Sequence, residues 1–83
     1  MENMVAKIEG LARAGKKSVT INSTGKDGAK YSAHLIIMAT DPINGTMSIF
    51  KNGQAFLEKS FIDVLPVYEQ AMENIEVLSG DRR

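Results

Sequence analysis

The fold is organised around the stretch AKYSAHLIIMA, residues 29–39, the longest run in the chain with the pattern of a β-strand. Alternate side chains of a strand point to the same face, and one face here is apolar throughout: Tyr31, Ala33, Leu35, Ile37, Ala39. The opposite face begins polar, at Lys30, Ser32 and His34. It becomes apolar at Ile36 and Met38. We therefore expect a central strand with helices on one face and a further contact at the far end of the other.

Length and composition indicate one small domain, residues 1–83. The 43% of apolar residues is enough for a core. A domain of this size buries only roughly 60–65% of its unfolded surface, so oligomerisation would add useful stability. The chain has no cysteine, which excludes a disulfide framework and a thiolate zinc site. No apolar run is long enough for a membrane span and residues 1–4 do not resemble a signal peptide, so we expect a cytoplasmic protein.

Charge is balanced overall but unevenly distributed along the chain. Residues 1–30 contain six basic and three acidic side chains, whereas residues 31–83 contain four and seven. This distribution predicts either an electrically two-sided molecule or an ordinary solvated surface.

The N-terminal half predicts a helix followed by a hairpin. Residues 2–14 carry an apolar stripe at three- and four-residue spacing, and Gly15 is a natural helix stop. Residues 17–23 alternate as a first strand, and the glycines of residues 24–28 indicate a turn into the central strand. A third strand is expected at residues 46–51. Asn52-Gly53 then predicts a tight hairpin to a short fourth strand at 54–57, unless Gly53 opens the last helix.

The C-terminal part predicts a second helix from Ser60 to residue 79. Its apolar stripe is Phe61, Val64, Leu65, Tyr68, Ala71, Met72, Ile75, Leu78. Pro66 lacks a backbone donor, so the helix either kinks or begins there. Gly80 would end it, leaving residues 80–83 as a frayed tail. The fold class is thus α+β: an antiparallel meander of three or four strands with an N-terminal and a C-terminal helix packed on one face, in the order α-β-β-β-(β)-α.

The chain contains few residues that are suited to catalysis. His34 is the single histidine and no cysteine is present, so a Cys–His pair is excluded. Nothing places a nucleophile beside His34, and Asp27 and Asp41 lack the spacing of a calcium loop. We expect no enzyme activity, no cofactor and no metal.

Two surfaces remain as candidate contact sites. The sheet face away from the helices would expose an apolar patch at Ile36, Met38 and Phe50, with His34 beside it, and exposed apolar patches mark contacts. Glu69, Glu73 and Glu76 would form an acidic row on the back of the last helix. Such a row is either a solvated face or an imitation of a phosphate backbone that occupies a basic groove on a partner.

The predicted order of elements resembles that of several small proteins of phages and mobile elements, including inhibitors of bacterial CRISPR systems. This resemblance implies an accessory protein that binds and modulates a host protein. A four-stranded sheet followed by a helix also resembles the single-stranded-DNA-binding coactivator fold of positive cofactor four. That second resemblance implies nucleic-acid contacts by Lys17, Lys26, Lys30 and Tyr31.

From these patterns we expect a non-catalytic protein-interaction module that forms a homodimer. The alternative is a single-stranded-DNA-binding protein that uses the basic N-terminal half, with Lys16, Lys17, Lys26 and Lys30 as contacts. An enzyme is the third choice.

Overall fold

A computed structural model describes the backbone of residues 4–79 and the side chains of residues 4–78. The predicted stop at Gly80 and the predicted tail at 80–83 lie outside the described residues. The elements are α1 (Met4–Arg13), β1 (Ser18–Gly25), β2 (Lys30–Thr40), β3 (Ile43–Lys51), β4 (Gln54–Ser60), α2 (Phe61–Ala71) and β5 (Met72–Ser79). The predicted α+β class, with an antiparallel sheet, an N-terminal helix and a helix near the C-terminus, is confirmed.

Strands β1 to β4 form the predicted meander, and the five-stranded sheet has the order β4-β3-β2-β1-β5. The predicted tight turn at Asn52-Gly53 is present, with φ of 51° and 88° at its two residues. This is the positive-φ pair that a two-residue hairpin of type I′ requires. Residues 54–60 are therefore a fourth strand, and the alternative in which Gly53 opens the last helix is wrong.

The long C-terminal helix is the main error of the sequence prediction. The helix runs from Phe61 through Pro66, so it does not begin at the proline, but it ends at Ala71. Residues 72–79 instead form β5, which pairs antiparallel with β1. Apolar side chains at Met72, Ile75 and Leu78 fit a helical stripe, yet residues 74–77 also alternate polar and apolar, as in a strand. The free edge of β1 decides between the two, because its unpaired backbone groups gain partners only if this segment is a strand.

The core lies between the sheet and both helices, on one side of the sheet. Its strand side chains come from alternate positions: Val19, Ile21, Ala33, Leu35, Ile43, Met47, Ile49. Its helical side chains are Met4, Ile8, Ala12, Phe61, Val64, Leu65, Tyr68. Because β2 and β3 contribute to this core through one face only, the opposite face of the sheet is not part of the core.

One polar pair lies within this core. The hydroxyls of Ser23 on β1 and Tyr68 on α2 share a hydrogen bond, which ties the helix to the sheet. Burial raises the pKa of the Tyr68 phenol above its ordinary value of 10.0, although the bond from Ser23 acts in the opposite direction.

Candidate interaction face

We call the sheet surface opposite the helices the open face, since no element of residues 4–79 covers it. Register places its side chains in rows across the strands: Ser60, Thr46, Ile36 and Ser18 in one, and Glu58, Ser48, His34, Thr20 and Leu78 in the next. A third row contains Ala55, Phe50, Ser32, Asn22 and Glu76. Hydroxyl and amide side chains dominate these rows, so most of the open face is suited to water.

An apolar corner, which we define as Ile36 and Met38, interrupts this polar surface. Ile36 is 52% exposed and Met38 is 75% exposed. The register of β2 against β3 shifts between Ile37 and Ala39, which makes Met38 the extra residue of a β-bulge. A bulge redirects the side chain that it carries, and here the side chain stands in solvent.

The other two predicted interface residues lie on the same face, further along the strands from the corner. The rings of His34 and Phe50 meet edge to face, with their centroids 5.5 Å apart and their planes at 77°. Phe50 is half-buried by this contact, whereas His34 remains exposed. The four residues thus share the open face, as the alternation predicts, but they do not form one patch: Phe50 is opposite Ser32, four residues along the strand from Ile36 and six from Met38.

A hollow of about 510 Å³ adjoins Met38. Gly45 and Thr46 of β3 lie at its floor, and Glu58, Lys59 and Ser60 of β4 lie on its far side, so the charge there is mixed. Gly45 is required there, because a Cβ atom at this position would lie 1.9 Å from the carbonyl oxygen of Ile36. Glu58 is held in place by Ser48, whose Oγ donates a hydrogen bond of 3.2 Å to Glu58 Oε2.

The predicted nucleic-acid contacts do not form one surface. Lys16 and Lys17 precede β1, whereas Lys26 and Lys30 flank the turn that follows it. Eight residues of strand separate the pairs, which is roughly 25 Å at 3.3 Å per residue. The basic half of the sequence is also adjacent to the acidic half, since β5 pairs with β1.

Tyr31 is placed where it is unable to stack on a base from the open face. Its ring lies on the helix side of the sheet, 6.1 Å from the ring of Phe56 in an edge contact. The Lys51 ammonium lies 5.8 Å from the centre of the Tyr31 ring. The role that the coactivator resemblance implies for Tyr31 is therefore not supported by its position.

The prediction of a helical row at Glu69, Glu73 and Glu76 is wrong, because only Glu69 is in a helix. Glu69 and Glu73 line a hollow together with Lys7, so the charge there is mixed. Glu76 lies on the open face, across from Asn22 of β1. The helical spacing that grouped the three carboxylates disappears once residues 72–79 are extended.

Sequence reasoning missed two features that depend on the actual pairing. Regular pairing outward from the Asn52-Gly53 turn would set Phe56 opposite Ile49, but a bulge in β4 puts Leu57 there and leaves Phe56 59% exposed. A polar hollow of about 660 Å³ lies at the end of the open face away from the corner, between Lys30, Asn52, Asn74 and Glu76. Asn74 and Glu76 belong to β5, so the hollow has no counterpart in the predicted meander.

Within residues 4–79, no group of three or more His, Asp or Glu side chains is arranged to hold a metal ion. No helix in this range is long and apolar enough to cross a membrane. Comparison with known proteins finds no matching family model, no similar curated protein and no similar solved structure.

Proposed function

We propose that this chain is a non-catalytic protein-interaction module that associates with a second copy through the apolar corner of the open face. The observation that carries the proposal is the exposure of Ile36 and Met38 side by side on a face that no described element covers. Contiguous exposed apolar side chains are a recognised mark of contact sites. His34, two residues from Ile36 on the same strand face, is the nearest of the other predicted interface residues.

The size of the corner predicts a weak dimer. Full burial of an exposed side chain such as Met or Ile contributes about 1.5–3 kcal/mol. Each copy offers two such side chains, and because both are already partly buried, each contributes less than this on association. Four such contributions amount to roughly 4–8 kcal/mol, similar to the lower estimates of the cost of association. The gain little more than offsets this cost, so we expect a dimer only at high protein concentration.

The matched pair Ile36→Glu and Ile62→Glu tests this proposal. Both isoleucines are about half exposed, at 52% and 54%, but Ile62 is on α2. Sedimentation equilibrium over a concentration series should show a dimer for the wild type and for Ile62→Glu, and a monomer for Ile36→Glu. A wild type that stays monomeric at the highest concentration would refute the proposal, as would a dimer that is lost only in Ile62→Glu.

Single-stranded DNA binding stays the second candidate. The basic N-terminal half motivates it, but the open face carries Lys30 against Glu58 and Glu76, which disfavours a polyanion there. Titration of labelled single-stranded DNA at low salt should give no signal change. Saturable binding that weakens as salt rises would favour DNA over the protein partner.

An accessory role in a phage or mobile element stays a prediction, since it depends on the order of elements alone. In such a role the chain would bind a host protein as well as a second copy of itself. Capture of one defined protein from a host lysate, lost in Ile36→Glu and kept in Ile62→Glu, would support it. Equal capture by both variants would count against it.

A further inference from the structure

We infer that Met38 is a site of reversible oxidation by hydrogen peroxide, and that its conversion to the sulfoxide makes the apolar corner polar and weakens the contact proposed there. The effect on association rests on the proposed function, whereas the reactivity of Met38 does not. The modification is reversible because dedicated reductases, one for each epimer, return a methionine sulfoxide to the thioether.

The composition makes methionine the most readily oxidised residue type of the chain. There is no cysteine and no tryptophan, and five methionines are present. A thioether reacts where the oxidant reaches its sulfur, so the exposure of each methionine decides its reactivity. The structure ranks Met4, Met38, Met47 and Met72 in this respect, whereas Met1 lies outside the described residues.

Exposure separates Met38 from the other three. Its side chain is 75% exposed, whereas Met4, Met47 and Met72 are 5%, 0% and 9% exposed. Those three belong to the core, so peroxide reaches them only when the chain opens locally or globally. Met38 requires no such opening, because it is the extra residue of the bulge in β2 and its side chain stands in solvent.

The reaction is the transfer of one oxygen atom. The sulfur lone pair of Met38 attacks one oxygen of hydrogen peroxide, and the S–O bond forms as the O–O bond breaks. The proton of the transferred oxygen passes to the leaving hydroxide, which departs as water. Sulfur is oxidised by two electrons and the peroxide is reduced by two, so no further reactant is needed.

The surroundings of Met38 accommodate the product without a change of fold. A sulfoxide oxygen accepts hydrogen bonds, and both hollows beside Met38 are lined by lysines, Lys16 and Lys17 in one and Lys59 in the other. The side chain of Met38 is not part of the core. Oxidation therefore changes the polarity of the corner and leaves the packing beneath the sheet unaltered.

The change of polarity matters because the corner consists of Ile36 and Met38 alone. Burial of a polar group without a partner is unfavourable, and the sulfoxide is polar where the thioether is apolar. Oxidation should therefore weaken the proposed dimer by about tenfold or more in dissociation constant. Formation of the dimer should in turn slow the oxidation of Met38, since the contact covers its sulfur.

Peptide mapping after treatment with hydrogen peroxide tests the reactivity. At low protein concentration, Met38 should be oxidised at least about tenfold faster than Met4 and Met72, which are almost completely buried. It should exceed Met47 by about a thousandfold or more, because a completely buried sulfur is reached only in the rare unfolded fraction. The circular dichroism spectrum should stay native throughout. Equal rates at the four positions, or a spared Met38, would overturn the site.

Two variants test the effect on association. Met38→Leu keeps an apolar side chain that peroxide does not oxidise, and Met38→Gln supplies a polar side chain of similar length. By sedimentation equilibrium, peroxide should weaken the wild-type dimer and leave the Met38→Leu dimer unchanged. Untreated Met38→Gln should resemble the oxidised wild type, and reductase treatment of the oxidised wild type should restore the dimer.

The outcomes separate this inference from the proposed function. A wild type that stays monomeric overturns both the dimer and its control by oxidation, and the peptide map then decides the reactivity of Met38 alone. A dimer that Ile36→Glu dissociates but that survives complete oxidation of Met38 keeps the proposed function and overturns the control. A dimer that peroxide weakens equally in the wild type and in Met38→Leu assigns the effect to another residue and overturns the control as well.

Discussion

The two faces of one sheet are built from the same strands and have opposite properties. On the helix side, Leu35 and Met47 are completely buried and belong to a continuous core. On the open face, one residue further along each strand, Ile36 is half exposed and Ser48 bonds to Glu58 near solvent. The comparison shows that strand alternation separates the demands of folding from those of contact, so one face is able to vary without loss of the fold.

Changes on the buried face should have the largest effect on stability. Leu35→Ala should lower the free energy of unfolding by about 2–5 kcal/mol, because it leaves a cavity among residues that are unable to close it. Ile36→Ala, on the next residue, should change it by less than about 1 kcal/mol in a monomeric sample. Urea unfolding at low protein concentration measures both. Similar midpoints for the two variants would show that the faces are energetically equivalent.

The next effect concerns the contact between β2 and β3 beneath the hollow. Gly45→Ala should destabilise the domain by about 2–4 kcal/mol, since its Cβ would clash with the backbone of Ile36. Gly10→Ala is the control: nothing lies within 4 Å of its added Cβ, and it replaces glycine in a helix. That change should stabilise by about 0.5–1 kcal/mol. Thermal melting should move in opposite directions for the two variants, and a shift in the same direction would contradict the close approach.

A smaller effect is expected at the polar pair within the buried face. Tyr68→Phe should cost about 1–2 kcal/mol, because the Ser23 hydroxyl loses its partner inside the core. Adding Ser23→Ala to this variant should recover part of the loss. Chemical unfolding of the two single variants and the double variant gives the coupling energy, and strictly additive effects would argue against the bond.

The same pair predicts that the free energy of unfolding depends on pH in the alkaline range. The pKa of Tyr68 is raised by folding, so above pH 10.0 the unfolded chain releases a proton that the folded chain retains. The contribution of Tyr68 to stability is therefore complete below pH 10.0 and is lost as pH rises through the folded pKa. Unfolding free energies across this range should fall more steeply for the wild type than for Tyr68→Phe. Identical slopes would show that the raised pKa of Tyr68 is not a cause of the loss of stability at alkaline pH.

The smallest effect is expected on the open face. Ser48→Ala removes the exposed hydrogen bond to Glu58 and should change the free energy of unfolding by no more than about 0.5 kcal/mol. The matched change on the buried face is Ser23→Ala, where the partner phenol is left in the core. A larger loss at Ser48 than at Ser23 would reverse the contrast between the two faces.

Local pattern was sufficient wherever one feature dominated. The alternation of β2 predicted which of its side chains enter the core. Asn52-Gly53 predicted a tight turn, because this pair readily adopts positive φ at both residues. The corner at Ile36 and Met38 followed from the same alternation. Pattern failed at residues 72–79, where helical and extended periods both fit, and the grouping of Glu69, Glu73 and Glu76 failed with it.

The amino-acid sequence by itself determined the first helix, the order of β1 to β3 and the two faces of these strands, because turn residues and side-chain alternation act over a few neighbours; it left β4 open. Only the tertiary structure decided that the last segment is a strand, since the edge of β1 that it pairs with lies some fifty residues earlier in the chain. The bulge at Met38 and the hollow beside it are equally nonlocal. They arise from the pairing of β3 with β2 on one side and β4 on the other, where β2 carries one extra residue.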